Sequence, residues 1–214
     1  MKADRTVPPY AEAPLTLYLL RHAETAYNAD RQRIGGRSPH LPLSENGRMQ
    51  ATACGKRLAA QRLTFDRVFC STARRTVETL QLIQEAWPEL TPQPPVYSDR
   101  LQELSQGAWE GRLRSEIYTP ARLQEINSNN WLFKAPGGES QQEVEYRMLD
   151  FIDTEIAARH ASGRFLIVGH GCTFKCLLRG VLGSDPADTY KMKIENCELI
   201  RLVYTEEKKW VRPI

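Results

Sequence analysis

The sequence feature that most constrains this chain is a short apolar run that ends in a cation and an imidazole. The run, Leu15–Leu20, has no helical period, so it predicts a buried strand. Arg21 and His22 follow it directly, and open α/β sheets bind their ligands at the carboxyl ends of strands. We therefore expect a potential nucleophile and a potential anion-binding group at this strand end.

A second apolar run ends in a similar way. Residues 165–168 predict another short strand, which leads into Gly169-His170-Gly171. If the two strands are parallel neighbours, His22 and His170 lie at the same edge of the sheet. A single histidine near a strand end is more often a hydrogen-bonded structural residue. Two such placements, one of them directly after an arginine, favour a functional pair.

Predicted helices alternate with predicted strands along the chain. The clearest helical patterns fall in residues 44–61, 73–87, 139–160 and 173–182. This alternation predicts the α/β class, as a three-layer α/β/α sandwich with a mostly parallel central sheet. In the first of these helices, which Ser44 is expected to cap, the predicted inward side chains are Met49, Ala53, Leu58 and Ala59.

The length of 214 residues and the lack of a linker within the core predict one domain, residues 15–214. Residues 112–136 are predicted to be a small cap-like insert. Its aromatic side chains either wall a pocket for a sugar or ring, or simply pack the cap; they are Tyr118, Trp131 and Phe133. Residues 1–14, which contain three prolines, are expected to be a flexible N-terminal leader.

The charge pattern narrows the class of partner. The net charge is +3, and lysines and arginines are spread among acids. Nucleic-acid binders usually carry a strong basic cluster, so we expect no nucleic-acid partner. A modest positive field suits a small phosphorylated molecule better. The chain alone does not distinguish a monomer from a homodimer.

The cysteine count and the apolar runs indicate a compartment. The five cysteines form no apparent disulfide framework and no signal peptide is recognisable, so we expect a cytoplasmic protein. No run of about 20 apolar residues exists, so no transmembrane helix and no membrane partner are expected.

Five segments, in order along the chain, resemble the motifs of the histidine phosphatase superfamily, the phosphoglycerate mutase-like proteins. Arg21-His22-Ala23-Glu24-Thr25 resembles its Arg-His-Gly-Glu-Thr motif, with alanine in place of the more common glycine. The other four matching segments are residues 71–79, 101–111, 136–140 and 168–171. The likeness extends over about residues 15–204 and implies a phosphatase of this superfamily.

The resemblance assigns catalytic roles to residues of this chain. It implies that His22 is the nucleophile that forms a phosphohistidine, and that Glu103 is the general acid. It also implies that Arg21, Arg75 and His170 stabilise the phosphoryl oxygens, which arginine forks and a second imidazole can do without a metal. No cofactor is therefore expected.

Spacing decides between two adjacent arginines. The family's catalytic arginine lies four residues after the serine of its motif, which corresponds to Arg75 here and leaves Arg74 as a surface residue.

Four further residues are predicted to contact the substrate. Asn28 is expected to hydrogen-bond the phosphate through its amide, and Gly171 to offer a backbone N–H. Arg33 and Arg37 flank Ile34-Gly35-Gly36, which resembles the fructose-2,6-bisphosphatase branch. These two arginines either bind a second anionic group of the substrate or belong to a solvated basic loop.

Together these features predict a metal-independent phosphomonoester hydrolase that acts on a small phosphorylated metabolite. The insert is short, which favours hydrolysis over phosphoglycerate mutase-type transfer. The alternatives are mutase activity, fructose-2,6-bisphosphatase-like activity and a non-catalytic module that binds a phosphorylated ligand.

Overall fold

The computed structural model describes residues 15–204 and the short strand at 210–211, so the predicted leader, residues 1–14, lies outside the described residues. The strands are β1 (Leu15–Arg21), β2 (Arg67–Ser71), β3 (Val96–Ser98), β4 (Gly163–Gly169), β5 (Leu199–Tyr204) and β6 (Trp210–Val211). The helices are α1 (Ala26–Asp30), α2 (Glu45–Ala60), α3 (Arg74–Ala86), α4 (Arg114–Ile117), α5 (Pro120–Ser128), α6 (Gln141–Ile152) and α7 (Gly171–Leu182).

The strands form one sheet in the order β3-β2-β4-β1-β5-β6. The first four are mutually parallel, whereas β5 runs antiparallel to β1 and β6 antiparallel to β5. β1 and β4 are neighbours, and Arg21 at the end of β1 pairs with Gly169 at the end of β4. The prediction of a mostly parallel central sheet is therefore confirmed.

Helices cover both faces of the sheet. Leu17 and Leu19 of β1 pack with Phe165 and Ile167 of β4 against α6 and α7. Leu20 and the alternate residues of β2 and β4 pack against α2 and α3 on the opposite face. Successive side chains of a strand point to opposite faces, so continuous apolar runs are what two covered faces require.

The predicted inward face of α2 was partly wrong. Leu58 is buried, but the side chains of Met49 and Ala53 are exposed. The buried face instead includes Gly47 and Gly55. A Cβ at Gly47 would lie 2.0 Å from the carbonyl oxygen of Glu24, so the helix backbone approaches its neighbours too closely for larger side chains.

The predicted insert, residues 112–136, contains α4 and α5 and packs on a separate small core. Ile34, Trp109 and Ala135 form the centre of this core, and Tyr118 and Phe133 pack against it. Among the described residues, no helix has the length and apolar character needed to cross a bilayer.

Candidate active site

Two buried histidines meet at the carboxyl edge of the sheet. His22 follows β1 and His170 follows β4, and their ring centroids lie 5.3 Å apart. Their relative exposures are 4% and 0%. The parallel pairing of β1 with β4 produces this arrangement, as the two strand-end motifs predict.

His22 presents one unprotonated nitrogen. Its Nδ1 lies 2.7 Å from the carbonyl oxygen of Ala23, which can only accept, so Nδ1 carries the proton. Its Nε2 lies 3.3 Å from Nε of Arg75, which donates to it. Burial and the charges of Arg75 and Arg21 hold the pKa of His22 well below its usual value of 6.5. His22 is therefore a neutral imidazole with a lone pair on Nε2.

The guanidinium of Arg75 is fixed by backbone carbonyls. Its Nη1 donates to the oxygens of Arg37 and Ser38 at 2.9 and 3.0 Å, and its Nη2 donates to that of Gly36 at 3.3 Å. Burial lowers the pKa of Arg75 to about 10, and the charges of nearby carboxylates oppose this effect. The group is therefore cationic at neutral pH.

Arg74 differs from Arg75 in its surroundings. Its side chain is 57% exposed and pairs with Glu78 at 2.7 Å on the surface of α3. The structure thus brings Arg75, but not Arg74, to the two histidines.

His170 lies behind Arg75. Its Nδ1 lies 3.0 Å from Nη2 of Arg75, and its Nε2 lies 2.8 Å from Oγ of Ser71. Because a guanidinium can only donate, Nδ1 of His170 accepts and Nε2 carries the proton. Burial and Arg75 hold the pKa of His170 well below 6.5.

Arg21 extends from the end of β1 toward the same edge. Its Nη1 donates to the carbonyl oxygen of Ile194 at 2.7 Å, and its buried Nε has no partner among the described residues. A Cβ at position 171 would lie 3.1 Å from that Nε, so Gly171 lets the guanidinium pass close to the first residue of α7. Burial lowers the pKa of Arg21, and the charge of Glu103 partly opposes this.

Glu103 sits at the N-terminus of α7. One carboxyl oxygen accepts from the backbone nitrogen and hydroxyl of Thr173 at 2.8 and 2.9 Å and from the nitrogen of Leu104 at 2.9 Å. The other accepts from the nitrogen of Cys172 at 3.0 Å. A helix N-terminus favours negative charge, so these donors orient a carboxylate and leave Oε2 with a single partner among the described residues.

The four predicted substrate contacts differ in their placement. Oδ1 of Asn28 accepts from the backbone nitrogen and hydroxyl of Thr25, both at 3.1 Å, so its amide nitrogen is the group left to donate to a ligand. Gly171 begins α7 beside Arg21. The guanidinium of Arg33 donates to Gly111 at 2.7 Å, whereas that of Arg37 pairs with Glu139 at 2.9 Å.

Two carboxylates hold the site together, and our sequence reasoning gave them no role. Glu110 accepts from the backbone nitrogens of Arg37 and Ser38 at 2.9 and 3.0 Å, which fixes the carbonyls that hold Arg75. Glu139 accepts from the nitrogen of Ser105 at 3.0 Å and from Arg147, which itself binds the carbonyl of Gln102. Glu110 and Glu139 belong to the Trp-Glu-Gly and Gly-Gly-Glu segments of the resemblance, which was the available signal.

These groups surround a small cavity of about 80 Å³. Arg21, His22, Asn28, Arg75 and Glu103 line its wall, together with Gly35, Gly36 and Ser38. His170 is not on the wall and reaches it through Arg75. The cavity therefore combines an unprotonated imidazole, two cations and one carboxylate.

The insert forms a second, more apolar pocket of about 410 Å³. Tyr118 and Phe133 line it beside Trp109. Trp131 instead packs under the guanidinium of Arg179, 4.0 Å from the ring centroid. Tyr118 and Phe133 therefore fit both alternatives that the sequence left open, since they line this pocket and also pack on the small core of the insert.

This fold, with paired histidines at adjacent parallel strand ends, defines a phosphoglycerate mutase-like α/β protein. The family model of the "Histidine phosphatase superfamily (branch 1)" matches residues 17–213, and the chain belongs to this superfamily.

Curated relatives carry a mutase name. The "probable phosphoglycerate mutase GpmB" of Salmonella choleraesuis (strain SC-B67) is 32% identical over 201 residues, covering 92% of this chain and 88% of that protein. Its namesake from Yersinia enterocolitica is 34% identical with the same coverage.

Solved structures share the fold. A mycobacterial glucosyl-3-phosphoglycerate phosphatase has a TM-score of 0.78 at 23% identity, covering 94% of this chain and 97% of its own. Phosphoserine phosphatase from Entamoeba histolytica, in complex with 3-phosphoglyceric acid, has a TM-score of 0.77 at 20% identity, covering 94% and 95%. At these identities the likeness concerns the fold alone.

Proposed function

We propose that this chain is a phosphomonoester hydrolase that acts on a small phosphorylated metabolite through a phosphohistidine at His22. The observation that supports it most is the unprotonated Nε2 of buried His22 on the wall of a small cavity that also holds Arg21, Arg75 and Glu103. A phosphoryl group carries negative charge, which repels nucleophiles. A neutral imidazole beside fixed cations meets that difficulty.

In the first step, Nε2 of His22 attacks phosphorus and the bond from phosphorus to the ester oxygen breaks. Arg21 and Arg75 stabilise the charge that develops on the phosphoryl oxygens, and the free amide nitrogen of Asn28 donates to one of them. In this scheme Glu103 enters the first step carrying a proton. Glu103 then donates this proton to the leaving alkoxide.

In the second step, water attacks the phosphohistidine. Glu103, now a carboxylate, accepts a proton from that water as the bond to phosphorus forms. The bond between phosphorus and Nε2 breaks, which releases inorganic phosphate and neutral His22. No step in this scheme requires a metal ion, because the two guanidinium groups supply the positive charge.

Mutase activity is the second candidate, and the curated relatives that carry that name favour it. A mutase keeps water away from the phosphohistidine and returns the phosphoryl group to a bound product. The two activities are separated by the rate of phosphate release compared with the rate of 2- and 3-phosphoglycerate interconversion.

The test is phosphate release from a panel of phosphorylated metabolites and p-nitrophenyl phosphate, with and without a metal chelator. A substrate with a radiolabelled phosphoryl group should give an acid-labile protein label in the wild type and none in His22→Ala. Full phosphate release by His22→Ala would exclude the phosphohistidine route. Interconversion of phosphoglycerates faster than phosphate release would assign the mutase reaction instead.

We also propose that the protein acts in the cytoplasm on a small-molecule substrate, as a monomer or homodimer. Its five cysteines are free thiols, four of them buried, which suits a reducing compartment.

A further inference from the structure

The backbone around Glu103 is anchored by one guanidinium. Arg147 in α6 donates to the carbonyl oxygens of Arg100 and Gln102, both at 2.7 Å, and to that of Glu103 at 3.3 Å. The Arg147 side chain is only 15% exposed, so water competes little for these contacts. The freedom that remains to Glu103 is therefore that of its side chain.

The two carboxyl oxygens of Glu103 have unequal surroundings. Oε1 accepts from the backbone nitrogens of Leu104 and Thr173 and from the hydroxyl of Thr173. Oε2 accepts from the backbone nitrogen of Cys172 and has no other partner among the described residues. A proton on Oε1 would compete with three donors for the lone pairs of that oxygen. The proton that Glu103 transfers is therefore carried on Oε2.

The hydroxyl of Thr173 lies between two acceptors. Its Oγ1 is 2.9 Å from Oε1 of Glu103 and 2.9 Å from the carbonyl oxygen of Gln102. A hydroxyl has one proton, whose direction rotates to suit its neighbours. It can donate to Glu103 when that side chain is a carboxylate, and to Gln102 when Glu103 is protonated. The hydroxyl is thus able to follow the protonation state of Glu103.

The packing of the fold does not depend on this hydroxyl. The Thr173 side chain is fully buried, and valine has the same branched shape. Without the hydroxyl, Oε1 of Glu103 would keep its two backbone donors, and the carbonyl of Gln102 would keep Arg147 at 2.7 Å. No buried polar atom would lose its last partner, which is the loss that costs most. The contact therefore concerns the orientation of Glu103 more than folding.

We propose that Thr173 is a positioning residue for proton transfer by Glu103: its hydroxyl holds Oε1 against the N-terminus of α7, which leaves Oε2 to face the leaving group. The inference rests on the phosphatase function above, in which Glu103 gives a proton in the first step and takes one from water in the second. Thr173 keeps its own proton throughout and contacts neither phosphorus nor the leaving oxygen.

The test compares three esters of similar size, p-nitrophenyl, phenyl and benzyl phosphate, whose leaving oxygens are increasingly basic. p-Nitrophenolate leaves without a proton, whereas the benzyl alkoxide needs one. Thr173→Val should therefore lower kcat/KM for benzyl phosphate by about tenfold or more, and that for p-nitrophenyl phosphate by less than about twofold. Thr173→Ser keeps the hydroxyl and should restore hydrolysis of benzyl phosphate.

Thr189→Val is the matched control. Thr189 is also fully buried, but its hydroxyl has no hydrogen-bond partner among the described residues. The same chemical change at this position should leave kcat/KM unchanged for all three esters. Equal losses in the two valine variants, or a loss in Thr173→Val that is the same for every ester, would assign the effect to packing and overturn the inference.

Failure of this inference is distinguishable from failure of the proposed function. A double-mutant cycle of Thr173→Val and Glu103→Gln, measured by denaturant unfolding, needs no turnover. Non-additive losses of stability would support the contact, and additive losses would overturn it. Hydrolysis of all three esters by Thr173→Val at wild-type rates would overturn the positioning role and leave the phosphatase function intact. A wild type that hydrolysed none of them and took no label at His22 would contradict the phosphatase function, and the positioning role with it.

Discussion

Nη2 of Arg75 lies 3.0 Å from Nδ1 of His170, and this contact fixes the tautomer of the histidine. Because the guanidinium donates, the proton of His170 must be on Nε2, which faces Ser71 Oγ at 2.8 Å. On its other side, Arg75 donates to Nε2 of His22 at 3.3 Å. One buried chain of hydrogen bonds therefore joins the ends of β2, β4 and β1 through α3.

Ser71→Ala removes the first member of this chain. The N–H of His170 would then be buried without a partner, which costs about 1–3 kcal/mol. We expect a loss of unfolding free energy of that size and a lower kcat, because His170 no longer holds Arg75 in one orientation. Denaturant unfolding and steady-state kinetics measure the two effects.

Thr72→Ala is the control for this change. Thr72 is an exposed neighbour whose hydroxyl bonds Asp99 on the surface. It should lose less than about 0.5 kcal/mol, as surface substitutions usually do. If Ser71→Ala were as stable and active as the wild type, His170 would not depend on Ser71 for its tautomer.

The two histidines make stability dependent on pH. Burial and Arg75 lower the folded-state pKa of His22 and His170 well below 6.5, the value expected in the unfolded chain. As pH falls below 6.5, the unfolded chain binds protons that the folded chain does not. The two neutral histidines therefore make their full contribution to the free energy of unfolding above pH 6.5. This contribution is lost as the pH falls toward their folded-state pKa values.

Within this window each histidine should lower the free energy of unfolding by about 1.4 kcal/mol for every unit by which the pH falls. Chemical unfolding at a series of mildly acidic pH values measures the slope. His22→Gln should show about half the slope of the wild type, since one of the two groups is gone.

The lowered pKa of His22 also affects the kinetics. Because His22 stays neutral well below its usual pKa, the acidic limb of the kcat/KM profile should lie well below 6.5. A limb at the ordinary histidine value would mean that His22 is not the buried neutral base described above.

Much of the fold was predictable from the sequence, as were the charged and imidazole side chains at the carboxyl edge of the sheet. Continuous apolar runs such as Leu15–Leu20 fit strands covered on both faces, and their helical separators require parallel pairing. Parallel pairing then brings His22 and His170 together whatever the details of the loops. The choice of Arg75 over Arg74 came from motif spacing, and the structure places Arg75 on both histidines.

Features set by close backbone approach or by distant segments were not predictable. Met49 was predicted to be inward because of its apolar side chain. The buried face of α2 instead carries glycines such as Gly47, because neighbouring backbone lies too close to the helix there for a larger side chain. Glu110 accepts hydrogen bonds from backbone nitrogens of the loop that binds Arg75. Every residue type except proline has such a nitrogen, so the sequence of the loop does not reveal this contact. The donors to Glu103 come from separate segments, and only folding shows that they converge.

Glu110→Gln tests the support of Arg75. Oxygens of Glu110 accept from the backbone nitrogens of Arg37 and Ser38, so an amide NH₂ would face a donor at one of these positions. We expect kcat to fall by about tenfold or more as the carbonyls that hold Arg75 become less ordered. Glu116→Gln, which breaks only an exposed pair with Arg112, should leave kcat near the wild-type value. Similar kinetics of both variants would remove the positioning role of Glu110.

Gly36 and Gly35 offer a matched pair of substitutions in the same loop. Gly36 has a φ of +59°, and a Cβ there would lie 2.5 Å from Oε1 of Glu110, whereas a Cβ at Gly35 would meet nothing within 4 Å. Gly36→Ala should therefore cost about 1–3 kcal/mol of unfolding free energy, and Gly35→Ala less than about 0.5 kcal/mol. Thermal and denaturant unfolding compare the two. Equal stabilities would mean that the loop relaxes without disturbing Glu110.

Arg75→Ala and Arg74→Ala separate the two adjacent arginines. Arg75 is 3% exposed and contacts both histidines, so its loss should lower kcat by about 10²–10³, the usual cost of one donor to a developing negative charge. Among the described residues, the exposed Arg74 side chain pairs with Glu78, whose side chain is 13% exposed, and it contacts neither histidine, so its loss should change kcat by less than about twofold. Arg75→Lys keeps the charge but loses the planar fork that bonds carbonyls and imidazole together, so it should remain strongly impaired. Full activity of the lysine variant would mean that Arg75 acts only as a point charge. A greater loss of kcat in Arg74→Ala than in Arg75→Ala would mean that Arg74, not Arg75, is the arginine that acts in catalysis.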